Sequence, residues 1–327
     1  MMRAYRQTAR RRFFATLRMT AIVCVVASMT AHAQQIVIRV GHFPNVTHAQ
    51  GVIAHANGWF EKKLGPDVKV QWYVYNAGPS AMEAIFADSI DLTYVGPSPA
   101  LNAYSKSRGD EIRIIAGAAN GGAALVVQPD GRINVPADFR GKRVATPQLG
   151  NTQDVECRAW LTQQGFKVTQ LGGDVMVLPT ANPDQLNLFQ NKTLDAVWTV
   201  EPWVSRLERE AGAKVFLEQS NTVTTVLVSS AKFLREHRDL ARRFAQAHAE
   251  LTDWILQNTA DAQKIVRDEL TAETTRAVPA ELVARSWTRL QFTTQISLPP
   301  LEKFVRDAQA AGFLRGSPDL KRLIDIP

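Results

Sequence analysis

The chain has 327 residues, 45% hydrophobic and 21% charged, which is enough for one large domain or two lobes with substantial cores and excludes a disordered chain. Its net charge of +7 does not point to nucleic acid: residues 1–33 hold six arginines and no acid, and the other 32 basic residues face 31 acids, a net +1. No stacked-aromatic basic motif accompanies that balance. Beyond Cys24 only Cys157 remains, so neither an intrachain disulfide nor a cysteine metal cluster is expected.

Residues 1–33 read as a secretory signal: a basic stretch from Arg3 to Arg18, an apolar run from Ala21 to Met29, then Ala31-His32-Ala33 as cleavage site. The run is too short to span a bilayer. Arg10-Arg11-Arg12-Phe13-Phe14 also resembles a twin-arginine signal, so either the general (Sec) or the twin-arginine (Tat) route is open. No cysteine follows Ala33, so no lipid anchor is expected there.

Ile36 to Val40 is a strand by its β-branched content. The loop GHFPNVTHAQ leads into a helix from Thr47 or His48, with Ala49, Val52, Ile53 and Ala56 at helical spacing and Gly58 at its end. Val68 to Tyr75 is a second strand, and Gly78-Pro79-Ser80 opens a helix through Ala87. Asp91 to Val95 is a third strand, followed by a helix at Gly96-Pro97-Ser98-Pro99. Three strand ends thus meet a Gly/Pro/Ser turn and a helix. The alternation predicts a mostly parallel sheet with helices on both faces and ligands beyond the carboxyl ends of the strands.

Ile112 to Ala116 and Ala124 to Val127 are strands, separated by Gly117 and Gly121-Gly122. The next segment, GKRVATPQLGNTQD at 141–154, is the most telling in the chain. It predicts a strand at Arg143 to Ala145, a turn with Pro147 and Gly150, and a helix N-capped by Asn151 or Thr152. A helix start presents free N–H groups and the positive end of the peptide dipoles. Hydroxyls and amides flank it here rather than bases, which fits a protein that holds a small anion without transforming it. An ordinary capped helix is the plain alternative. Cys157 lies on the apolar face of this helix and is expected to be a buried small hydrophobe.

Strands follow at Val175 to Leu178, Ala196 to Trp198, Val215 to Leu217 and Thr224 to Val228, with helices from Pro183 to Gln190 and Pro202 to Arg209. The remainder is mainly helical: Lys232 to Gln257, Thr259 to Leu270, Pro279 to Leu290 and Pro300 to Gly312. The two strand–turn–helix units, with no residue-level repeat between them, predict a two-lobed α/β protein. One lobe is expected to take 34–122 and about 226–327, the other 123–225, with hinge crossings at Gly117 to Gly122 and Asn221 to Thr225.

Six segments carry a family resemblance: GHFPNVTHAQ, HANGWFEKKLG, SIDLTYVGPSPALNAY, IRIIAGAANGGAALVV, GKRVATPQLGNTQD and LDAVWTVEPWVSRL. In this order and spacing they cover nearly all of residues 36–230. They resemble the periplasmic substrate-binding proteins of ABC importers, within them the nitrate/sulfonate/taurine group (NMT1/THI5-like), which includes aliphatic sulfonate binders and pyrimidine-precursor binders. The resemblance implies the two-lobed periplasmic-binding-protein fold of type II, each lobe a mostly parallel sheet flanked by helices. It implies a periplasmic monomer that binds a small anion, without a cofactor, and delivers it to a permease. The ATPase would be a separate chain, in keeping with the lack of a GxxxxGK[ST] loop here.

The same resemblance assigns ligand contacts to the turns. His42, Asn45 and Thr47 lie on the first, Gly96 and Ser98 on the third, and Asn120 and Gly121 near the hinge. Gly150, Asn151, Thr152 and Gln153 form the opposing grip. His42 either donates to the anion or fills the lobe base. Trp198 either lines an alkyl chain or is core. Glu201 is either the favourable carboxylate at a helix start or a cleft residue that repels a bare anion and favours an amine-bearing ligand such as taurine. His48 and His55 are seven apart, so no metal site is expected. Arg143 and Lys142 are expected at the far, solvent-facing end of their strand. The competing readings are a soluble sensor for a membrane receptor and a pyrimidine-precursor binder or enzyme on the same scaffold. Ser98 with His42 is the sole nucleophile–base pair the sequence offers for catalysis, and no G-x-S-x-G motif supports it.

Overall fold

Apolar runs without alternation need cover on both faces, and two sets of such strands organise the fold. The computed structural model describes residues 35–170 and 172–327, so the secretory signal, its cleavage site and its export route lie outside the described residues. The first unit comprises β1 (Ile36–His42), α1 (Ala49–Asn57), α2 (Trp59–Leu64), β2 (Val68–Val74), α3 (Gly78–Phe86), β3 (Leu92–Val95), α4 (Pro97–Lys106) and β4 (Ile112–Gly121). The second runs through β5 (Ala123–Val127), β6 (Arg143–Thr146), α5 (Thr152–Gln163), β7 (Val168–Thr169), β8 (Gly172–Gly173), β9 (Met176–Pro179), α6 (Asn182–Gln190), β10 (Ala196–Val200), α7 (Trp203–Ala211) and β11 (Lys214–Gln219). β12 (Val223–Ser230) returns to the first sheet. The chain continues through α8 (Ala231–Glu236), α9 (Arg238–Gln257), α10 (Thr259–Thr274), α11 (Ala280–Trp287), β13 (Leu290–Phe292), α12 (Leu298–Ala310) and α13 (Leu320–Leu323).

The strand orders are β13-β4-β12-β3-β1-β2 and β11-β5-β10-β6-β9, with β7 and β8 a separate ribbon. Both large sheets are mixed, which corrects the expectation of mostly parallel ones. β1 pairs parallel with β3, and β6 with β10 and β9. β12 is antiparallel to β3 and β4, β13 to β4, and β5 to β10 and β11. β5 and β12 carry the chain from one sheet to the other without a crossover helix, and parallel pairing needs such a crossover. The β4–β5 passage turns at Gly121 and Gly122, with φ of +75° and +72°. A Cβ at Gly121 would strike the backbone oxygens of Arg289 and Ser220, so this passage requires glycine.

Alternate residues of the central strands serve opposite cores. Leu125, Val127 and Trp198 pack with Cys157 and Leu161 of α5, while Ala124, Val126 and Val197 pack with Phe189, Val204 and Leu207. In the first sheet Ile38, Val40 and Leu92 share a core with α1, α9 and α10, and Ile112 and Ile114 share another with α3, α4 and α12. The expected helix 232–257 is two helices, broken at His237 by its non-helical φ of −137° and ψ of 43°. The helix expected to reach Leu290 ends at Trp287, because Leu290 pairs with Gly121 in the sheet. Among the described residues no helix is long and apolar enough to cross a membrane.

The two sheets repeat one device that the sequence did not reveal as a repeat. Arg39 donates its main-chain N–H and Nε to Asp91 Oδ2 at 2.8 and 3.1 Å, and Nη2 to Oδ1 at 2.6 Å, across 52 residues. Arg143 makes the same three bonds to Asp195, at 2.9, 2.9 and 3.2 Å, again across 52 residues. Each arginine also reaches the carbonyl of a positive-φ residue, Asp88 or Lys192. These clamps sit where β3 and β10 begin, which leaves the carboxyl ends of the strands free for a site.

Candidate functional site

The turns that follow β1, β2, β3, β6 and β9 converge, with Val200 at the end of β10, on one cavity of about 30 Å³. By the same measure that is room for about two waters. Phe43, Asn45, Thr47 and His48 line it from the first turn, Asn76 to Gly78 from the second, and Gly96 and Pro99 from the third. Pro147, Asn151, Thr152, Gln153 and Asn182 come from the opposing sheet, and Thr224 from β12.

The tips of α4 and α5 meet across this space. The Ser98 N–H donates to Thr152 Oγ1 at 3.3 Å, so a hydroxyl oxygen stands where an anion oxygen would sit at the α4 tip. Gly96 permits the approach, since a Cβ there would collide with the Thr152 hydroxyl.

The lining amides are oriented by bonds that use their acceptor ends. Asn45 Oδ1 accepts from Trp203 Nε1 at 2.9 Å, Gln153 Oε1 from Asn151 Nδ2 at 3.0 Å, and Asn182 Oδ1 from Thr199 Oγ1 at 3.2 Å. Asn151 Oδ1 accepts from the Asp154 N–H at 2.8 Å and so caps α5, as expected. What remains on Asn45, Gln153 and Asn182 is their NH2 groups. Burial, with His42 adding repulsion, holds the pKa of His48 well below its usual 6.5, so its imidazole is neutral. The Phe43 N–H donates to His48 Nδ1 at 3.4 Å, which leaves the ring proton on Nε2. The lining holds no carboxylate, lysine or arginine. Such a cavity offers hydrogen-bond donors and helix starts, and no compensating charge.

A buried ion pair fixes the α5 tip from behind. Asp154 accepts from Thr146 Oγ1 and the Gly150 N–H, both at 2.9 Å, and from Arg158 Nε at 3.0 Å. Arg158 also donates to the carbonyls of Thr169 and Val177, at 2.8 and 3.3 Å. The pair is 0% and 2% exposed, so Arg158 offsets the carboxylate that would otherwise repel an anion at this tip.

Of the residues nominated from the sequence, Asn45, Thr47, Gly96, Asn151, Thr152 and Gln153 line the cavity. Ser98 contributes its N–H, and its hydroxyl is buried without a partner among the described residues. The other nominated residues lie elsewhere. His42 Nε2 is 2.5 Å from Glu273 Oε1, so that nitrogen is engaged on α10 and is no base for Ser98. Asn120 and Gly121 are held in β4 by pairing with β12 and β13. Gly150 borders a separate depression of about 390 Å³ with Met82, Phe86 and Leu149. Trp198 is core, 1% exposed, with Nε1 3.4 Å from Gln219 Oε1. Glu201 accepts from Ser205 N–H and Oγ at 3.1 and 2.9 Å, and from Ser286 Oγ and Arg289 Nη1 at 2.9 Å. Its carboxylate is fully engaged in bracing α7 against the α11–β13 turn and is not in the cavity lining. Sequence reasoning missed Asn76 and Asn182. The signal for Asn182 was positional: Asn182-Pro183 follows Arg143 at the distance at which Gly78-Pro79 follows Arg39.

Comparison with known proteins places the chain among binding proteins of similar fold. A putative aliphatic sulfonates-binding protein of Bacillus subtilis is 25% identical over 224 residues, 66% of this chain and 65% of that protein. The taurine-binding periplasmic protein of Escherichia coli is 24% identical over 230 residues, 69% of this chain and 68% of that protein. The alkanesulfonate-binding protein of Xanthomonas axonopodis pv. citri, solved bound to MOPS, superposes with a TM-score of 0.68 at 20% identity, covering 84% of this chain and 90% of that one. The periplasmic nitrate-binding protein of Synechocystis PCC 6803 gives 0.69 at 16% identity, covering 88% and 84%. These neighbours show that the α/β fold is that of the periplasmic binding proteins. The profile of the NMT1-like family matches residues 31–267, most of the chain, and the chain belongs to that family.

Proposed function

We propose that this protein captures a small anion of the sulfonate, taurine or nitrate class between the tips of α4 and α5 and delivers it to an ABC importer permease whose ATPase is a separate chain. The orientation of the lining amides carries this reading: their acceptor oxygens are engaged by the protein and their donors are left for the guest. The relatives' names point the same way, and the basic, apolar, small-residue order of residues 1–33 supports a periplasmic location. A binding role is favoured over catalysis because His42, the base a Ser98 nucleophile would need, is committed to Glu273.

A cavity of about 30 Å³ has no room for a sulfonate with an organic tail. Loading would part the two tips, with lobes of 34–122 plus about 226–327 and of 123–225 turning at the β4–β5 and β11–β12 passages. The test is a thermal-shift panel of taurine, alkanesulfonates and nitrate on the chain from residue 34 onward. A true guest at 100 times its Kd adds about 2.7 kcal/mol, a rise of ~4 °C. The Asn151→Ala, Thr152→Ala double variant is expected to lose most of that rise. No response to any anion, or a full response in the double variant, would refute the reading.

A further inference from the structure

A second polar cluster lies outside the cavity and has the opposite character. β1 ends at His42, α1 carries His55, and α10 carries Glu269 and Glu273 one turn apart. α10 packs on α1 and brings these side chains together. His42 Nε2 is 2.5 Å and His55 Nδ1 3.1 Å from the same oxygen, Glu273 Oε1. His55 Nδ1 is also 2.9 Å from Glu269 Oε1. One ligand atom from each of His42, His55 and Glu273 lies within 4.8 Å of the others. Glu273 is 5% exposed, and its second oxygen, Oε2, is buried without a partner among the described residues. A purely proton-bridged cluster leaves that oxygen unsatisfied.

We propose that His42, His55, Glu273 and Glu269 form a binding site for a divalent transition-metal ion of the zinc class. Two imidazole nitrogens and two carboxylates are a donor set such ions accept. Tetrahedral zinc with bonds of about 2.0–2.2 Å spaces its ligand atoms about 3.4 Å apart. The pairs at 2.5, 2.9 and 3.1 Å each reach that value by a shift under about 1 Å, the His42, His55 and Glu273 atoms already lie within 4.8 Å of one another, and Glu269 joins from the His55 side. Glu273 Oε2 is then available as a further oxygen ligand. His42 and Glu273 are fixed inside, while His55 at 35% and Glu269 at 18% exposure open a route from solvent. Trp72 stands edge-on to His42, with ring centroids 5.3 Å apart, and gives the site an apolar wall. Among the described residues His42 Nδ1 has no acceptor, so one of the outer hydrogen bonds that orient zinc imidazoles is missing. That omission typically costs about 10–100-fold in affinity. The sequence concealed it because the partner of His55 is His42, delivered by the sheet, and not His48 seven residues away.

The probe is Co2+, whose visible bands report tetrahedral coordination, followed by Zn2+ in competition. The chain from residue 34 onward is prepared without a polyhistidine tag and stripped with EDTA. Co2+ is expected to bind one ion per chain with intense visible bands, to be displaced by Zn2+, and to raise the melting temperature reversibly. His55→Ala is expected to weaken binding at least ~10-fold with little change in the metal-free melting temperature, and Glu269→Gln to weaken it less. Absence of both the bands and a melting shift at about 100 µM metal, or unchanged affinity in both variants, overturns the proposal.

Discussion

The turn after β1 and the turn after β6 stand at equivalent places in the two sheets, yet they are held in different ways. The β6 turn is braced from within: Asp154, Arg158 and Thr146, all from its own unit, fix the α5 tip, and the Gln148–Ser80 bond to the first unit lies outside that brace. The β1 turn leans on the other unit. Asn45 bonds Trp203, and the Val46 N–H donates to the Glu201 carbonyl at 3.1 Å. One wall of the site is thus preformed, and the other is completed by contact with its opposite. The same division appears in the buried titratable groups. His248, packed against the first sheet, stays neutral between the Tyr94 hydroxyl and the Gly117 carbonyl. Glu156, on α5, is a buried carboxyl whose one hydrogen-bond partner among the described residues is Gln219.

Arg158→Ala should break the comparison most severely. It strands the buried Asp154 charge and is expected to cost ~3–5 kcal/mol in urea unfolding. Arg143→Ala removes a guanidinium that is 34% exposed and should cost ~1 kcal/mol or less. Equal losses in the two variants would mean that the α5 tip is not separately braced. Next come the pH effects, which run in opposite directions. Burial pushes the Glu156 pKa up to about 8, so its contribution is complete below about pH 4.5 and is lost as pH rises through 8. Glu156→Gln should therefore unfold later than the native chain at pH 9, by up to ~4 kcal/mol. Burial lowers the His248 pKa to about 4, so its contribution is present above pH 6.5 and is lost as pH falls through 4. That acid loss should approach ~3 kcal/mol in chemical denaturation, and a stability flat from pH 6.5 to 4 would contradict it.

The smallest effects separate the two amide walls. Asn45→Ala should weaken anion binding about tenfold and cost ~1–3 kcal/mol of stability, because it leaves the buried Trp203 Nε1 without its acceptor across the cleft. Asn151→Ala should weaken binding as much and cost ~1 kcal/mol, because that side chain caps α5 within its own unit. A larger stability loss in Asn151→Ala than in Asn45→Ala would erase the distinction between a preformed and an assembled wall.

Local rules made much of this legible. β-branched runs, Gly/Pro turns and the Asn151 cap are short-range signals, and the strands, helix starts and part of the cavity lining follow from them. What stayed hidden depends on pairing between distant segments. Nothing near Leu290 announces that it will join β4, and mixed sheet polarity arises only when β5 and β12 cross between the units. Glu201 read as a candidate ligand contact because its partners Ser286 and Arg289 lie more than 80 residues away. His42 read the same way until α10 supplied Glu273. Asn182 is the instructive miss, since its place in the duplicated plan becomes visible only once the two arginine clamps are superimposed.

The uncharged lining of the cavity has an electrical consequence. With His48 held neutral there by burial, and no lysine or arginine in the lining to cancel the guest, a captured monoanion adds its whole charge to the complex. Native electrophoresis should show the loaded protein moving one charge closer to the anode, and the heat of capture should be the same in buffers of different ionisation enthalpy.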